Sequence, residues 1–108
     1  MQLHTKDVTI SSGTTSAELE VGNATIVGLI TPTGLSSTSL TFTASPVSGG
    51  TFATLKDRSG SDISVTVTST GYQYALNPSD FAGVNYFKIV CGSSETSKTF
   101  KVVMRNIA

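Results

Sequence analysis

One histidine, one cysteine, seven basic and seven acidic side chains are the charged and strongly nucleophilic stock of this 108-residue sequence, so its chemistry can be taken group by group. His4 has no second histidine to complete a metal site, and a Ser–His or Cys–His nucleophilic pair would have to recruit this one residue near the N-terminus. Cys91 ends the apolar run FKIVC, where a buried thiol is inert. Asp57, Ser59 and Asp62 in DRSGSD surround a glycine with part of the spacing of a calcium loop. Two carboxylates fall short of an EF-hand set, however, and the same residues suit a hairpin turn. Glu18 and Glu20 are two apart, so they share one face of a strand. Carboxylate pairs that cleave glycosides come from facing elements, and a solvated strand face is the plainer reading. Tyr72 and Tyr74 also share a face: they either form an aromatic platform for a sugar or a protein, or line the core with their hydroxyls at the rim. Asn23-Ala24-Thr25 is a glycosylation sequon with meaning only in a secreted protein. There is no Gly-rich phosphate loop and no GxSxG elbow. No catalytic, cofactor-binding or metal-binding residue is assigned, and the expectation is a protein that is not an enzyme.

The elements that would position these groups are strands. Residues 24–31, ATIVGLIT, are apolar on both alternating faces, which calls for cover on both sides. Pro32 and Gly34 stop that strand. Leu40, Phe42 and Ala44 then alternate with Thr41 and Thr43. The first strand is read at Val8 and Ile10, the second at Ala17, Leu19 and Val21, with a turn at Gly22-Asn23. Phe52 and Leu55 belong to a strand at 51–57 whose alternation is broken, as by a bulge or a crossing between sheets. Ile63, Val65 and Val67 alternate cleanly, as do Tyr72, Tyr74 and Leu76. Asn77-Pro78-Ser79-Asp80-Phe81 reads as the one helical turn, capped by Asn77 with Pro78 at its first position. Tyr86 to Cys91 is a strand, Gly92 to Ser97 a loop, and Phe100, Val102 and Met104 lie on the last strand. Eight or nine short strands predict an all-β domain built as a two-sheet antiparallel sandwich, a jelly roll first and an immunoglobulin-like sandwich as alternative. Residues 1–5 are read as an N-terminal arm and 6–108 as a single domain.

Composition narrows the partners. Sixteen serines and 17 threonines replace charge, which makes up only 13% of residues, and that balance suits strands and turns rather than a helical bundle. Net charge is zero, and without a basic stripe neither nucleic-acid binding nor electrostatic steering is expected. A weakly charged surface is poorly defended against association and suits life in an assembly. A single cysteine leaves no intrachain disulfide. No apolar signal segment or membrane-length run is present, so cytoplasmic synthesis without membrane contact is expected.

Taken together, Val27-Gly28-Leu29 to Pro32, Leu40-Thr41-Phe42 to Ser45, Gly49 to Phe52, Asp57 to Gly60, and Leu76 to Gly83 resemble the pattern of small jelly-roll structural proteins of tailed bacteriophages. The likeness runs over nearly the whole chain and consists of fold grammar without chemistry. Relatives commonly carry a Trp soon after the proline, where this sequence has Leu35. The resemblance implies a capsid cement or decoration protein on the exterior of the virion head, bridging major capsid protein subunits as a homodimer or homotrimer, without cofactor. The expected partner contacts are Leu3, His4, Leu35, Tyr72 and Tyr74. A carbohydrate-binding fibre module, or a tail or neck component, is the alternative function.

Overall fold

The two ends of the chain are each other's main partner. The computed structural model describes residues 3–106. Within it β1 (Leu3–Thr15) runs antiparallel to the 21-residue β8 (Tyr86–Asn106), with Leu3 opposite Arg105 and Gly13 opposite Glu95. The register then shifts: Thr15 lies opposite Val90, so β8 uses more chain than β1 to round the same corner. Gly13 turns there with φ 93°, a conformation that costs glycine nothing. The corner is sharp enough for the Ala17 N–H to donate to the Thr9 carbonyl at 3.1 Å. The β1–β8 ribbon therefore doubles back on itself.

Each half of the ribbon gathers its own neighbours. The first half of β8 pairs with β2 (Leu19–Glu20) on one edge and with β4 (Ser39–Ser45) on the other. Two short strands, β5 (Ala53–Thr54) and β6 (Ser64–Thr66), pair with the far edge of β4. The second half of β8 pairs with β3 (Ala24–Ile30), which carries β7 (Gln73–Ala75) beyond it. All eight strands thus belong to one curled antiparallel sheet, a half-barrel, and the protein is all-β.

Curling lets the two halves share one interior. Val8, Ile10, Ile26, Leu29, Phe100, Val102 and Met104 come from the β1–β8–β3 half; Leu19, Leu40, Phe42, Phe87 and Ile89 come from the other; all lie in one apolar cluster. At its centre Phe42 stacks on Phe87 with centroids 5.8 Å apart, and Phe81 meets Phe42 edge-on at 5.6 Å. Such aromatic pairs contribute roughly 0.5–1.5 kcal/mol beyond the area they bury. Phe81 is delivered by a 3-10 turn, Pro78–Phe81, capped as its sequence predicts: the Asn77 side chain accepts from the Ser79 N–H, and Pro78 opens the turn.

Several expected boundaries move. Leu3, His4 and Thr5 are not an arm, since β8 already offers them a ladder; they pair with Arg105, Met104 and Val103. Residues 1 and 2 lie outside the described residues. Gly92 to Ser97 is not a loop but the bent middle of β8, with Ser97 at φ 51°. The strands expected at 17–21 and 51–57 shrink to two residues each, and Lys56 is left in an isolated bridge to Asp62. On β3, Ala24, Ile26 and Leu29 are buried, whereas Val27 and Ile30 are only half-buried; the cover expected on both faces is complete on one.

Candidate interaction surface

The five residues singled out as partner contacts do not converge. Leu3 is 54% exposed at the start of β1, and beside it His4 is half-buried opposite Met104. Tyr72 is 64% exposed just before β7, where its carbonyl accepts from the Thr31 N–H at 3.0 Å. In the order β1-β8-β3-β7, Leu3 opens one outer strand and Tyr72 immediately precedes the other. Leu3 lies level with Arg105 and Thr25, and Tyr72 lies level with Thr31, beyond the Ile30–Lys101 pair. They mark two separate corners of the sheet.

The remaining two candidates are corrected by their surroundings. Leu35 is in the apolar cluster at 8% exposure, because the link from β3 to β4 folds it inward. Tyr74 packs against the core, and its hydroxyl closes the turn before it. The hydroxyl accepts from the Thr68 and Ser69 N–H groups at 3.2 and 3.1 Å and donates to the Ser69 carbonyl at 2.7 Å. Accepting two N–H groups holds the phenol below its ordinary pKa, the Ser69 backbone contributing most. A Tyr72–Tyr74 stacking platform is therefore absent: one ring faces solvent and the other braces a loop.

Several carboxylates are fasteners as well. Glu18 accepts from the Gly49 N–H at 2.8 Å and the Ser48 hydroxyl at 2.5 Å, which hold its carboxyl below the usual range and pin the 46–50 loop. Asp57 accepts from the Ser59 hydroxyl and from the Ser59 and Ser61 N–H groups, so its carboxyl also stays low. Asp62 pairs with Lys56. DRSGSD is thus a closed hairpin turn, with its carboxylates spent on its own donors and on a lysine. Glu20 keeps its carboxylate 3.5 Å from the Tyr86 hydroxyl, and that negative charge pushes the Tyr86 phenol up. Cys91 is buried in the apolar cluster, and burial pushes its thiol up. Among the described residues no group of three or more His, Cys, Asp or Glu side chains is placed to hold a metal ion, and no helix is long and apolar enough to cross a membrane.

Sequence reasoning missed one residue altogether. Glu95 is charged, sits in the polar stretch GSSETS and is nevertheless only 4% exposed. Its carboxylate accepts from the Ser36 N–H at 3.1 Å, the Ser37 N–H at 2.7 Å and the Ser37 hydroxyl at 2.6 Å. Burial raises its pKa, but the donors from Ser37 and Ser36 outweigh that and leave it below the ordinary value. The only signal in the sequence is a glutamate among small hydroxyl residues, and its partners are 58 and 59 positions away.

An open polar cleft lies between the hairpin turn and the 3-10 turn, lined by Lys56, Asp57, Arg58, Asn77, Ser79 and Asp80. Four of its groups, Lys56, Asp57, Asn77 and Ser79, already have partners within the fold. No family model, curated protein or solved structure matches the chain.

Proposed function

We propose that this is a passive, surface-binding structural protein of a tailed-bacteriophage virion: a cement or decoration protein that docks on the outside of the head and bridges neighbouring major capsid protein subunits, as a homodimer or homotrimer. The observation that carries the reading is the use made of the polar side chains. Glu18, Asp57, Tyr74 and Glu95 each take two or more hydrogen bonds from loops of the same chain. These three carboxylates and one phenol are committed to rigidity, and the sequence supplies a weakly charged, hydroxyl-rich stock for the surface.

Bridging also asks for two contact points rather than one pocket. Leu3 and Tyr72, the exposed apolar side chains at opposite corners of one half of the sheet, supply them. Many identical sites on a shell then multiply a modest single contact into avidity. The proposal takes the curled sheet as a two-layer jelly-roll sandwich, and the doubled-back β1–β8 ribbon with its shared interior supports that.

Co-sedimentation with empty and expanded heads tests the function. The protein is expected in the pellet, and Leu3→Ser and Tyr72→Ala are each expected to reduce its share while circular dichroism stays β-type. Failure to bind any head form, together with its absence from purified virions by mass spectrometry, would end the proposal.

A further inference from the structure

The link from β3 to β4 lies over the place where β8 bends. Leu35 inserts into the core, Ser36 and Ser37 donate to Glu95, and the Ser37 hydroxyl also lies 3.1 Å from the Ser93 carbonyl and 3.2 Å from the Ser93 N–H. Beneath it Cys91, the next position but one before Ser93, is buried and in reach of the Ser37 side chain. Every polar tie between link and bend passes through Glu95 or through the Ser37 hydroxyl that Glu95 holds.

We propose that residues 32–37 form an acid-releasable strap, clasped by Glu95, that shuts the Cys91 thiol away from solvent. The clasp depends on a charge. A carboxylate accepts all of these donors at once; protonated, it becomes a donor itself and loses acceptor strength. The Ser37 hydroxyl has somewhere else to turn, the Ser93 carbonyl, so release of the clasp does not strand it. The charged and titratable groups around Glu95 are few: Lys98 on the same strand supports the anion, Cys91 is neutral, β1 faces Glu95 with Gly13, and the strap itself carries no charge. The sign is therefore set by Glu95. The clasp holds above the ordinary glutamate range and opens as pH falls below it.

The sole cysteine makes the opening visible. Amide exchange of Ser36 and Ser37, followed by NMR as pH is lowered, and the rate at which 4,4′-dithiodipyridine traps Cys91, measured for wild type, Glu95→Gln and Ser37→Ala, together decide the matter. The expected result is a loss of Ser36 and Ser37 protection in acid before core amides such as those of Phe42 and Phe87 lose theirs. At neutral pH Glu95→Gln is expected to raise Cys91 trapping by roughly tenfold or more through local opening, with Ser37→Ala in between. If Glu95→Gln does not fold, the wild-type exchange series and Ser37→Ala still report. Strap amides that lose protection only together with the core, or Cys91 trapping that is the same in both folded variants as in wild type, would overturn the proposal. It does not depend on the capsid reading: a strap that opens in a protein that ignores phage heads is a separable result.

Discussion

A carboxylate withdrawn from water costs several kcal/mol unless N–H and O–H donors replace the solvent. Glu95 obtains three such donors from two adjacent serines, and no salt bridge reaches it among the described residues. Because the folded pKa lies below the unfolded value of about 4.3, its stabilising contribution is fully present above that value and is lost as pH falls through the folded one. Urea midpoints measured between about pH 6 and about pH 3 should therefore fall more steeply for wild type than for Glu95→Gln; parallel curves would contradict this. Tyr74 makes a second residue-scale case. Tyr74→Phe keeps the ring against the core and removes the one atom that serves two N–H groups and a carbonyl. It should lower the urea midpoint and speed amide exchange at Thr68 and Ser69, with the sheet's circular dichroism unchanged.

At the scale of elements, stability rests on the aromatic centre where both halves of the sheet meet. Phe42 is fully buried on β4 between Phe81 and Phe87, so Phe42→Ala should cost about 3–5 kcal/mol, the usual range for such a truncation. Chemical denaturation checks this, and a loss below about 1 kcal/mol would mean the site collapses freely around the gap. The strands of this centre were legible from sequence: Leu40, Phe42 and Ala44 alternate as a half-buried strand must, and Tyr86 to Cys91 reads as a strand with two apolar faces, Phe87, Ile89 and Cys91 on one of them. The Asn77-Pro78 turn was legible too, because its cap and proline act locally. What could not be read was anything that depends on distant pairing. Gly92 to Ser97 has loop composition, yet its Glu95 and Thr96 are drawn into the ladder by Gly13 and Ser12 of β1, which lie opposite them. Leu3 to Thr5 looked like an arm for the same reason. Among the contact residues, the alternation of Tyr72 and Tyr74 was open between an exposed platform and a core-lining face; the exposure of Tyr72, the inward turn of Leu35 and the anchoring of the Tyr74 hydroxyl are consequences of loop paths that no local pattern encodes.

For the whole molecule the decisive property is how little of its stability or surface is electrostatic. Two salt bridges occur among the described residues, Lys56–Asp62 and Lys101–Asp7, and both are exposed. Exposed pairs of this kind contribute roughly 0–1 kcal/mol. Asp7→Asn should accordingly change unfolding free energy by less than about 0.5 kcal/mol, as surface changes usually do. The same reasoning extends to the proposed docking. With net charge zero and no basic or acidic stripe, attraction to a shell would have to come from apolar and hydroxyl surface removed from water, a term that added salt does not screen. Head binding should then persist from low to high ionic strength, and its on-rate should vary little over that range, in contrast to the steep salt dependence of steered association. Surface plasmon resonance on immobilised heads across a salt series measures both. A binding constant that collapses as salt rises would show that charge on the shell, rather than buried contact area at the two corners, is what holds the protein there.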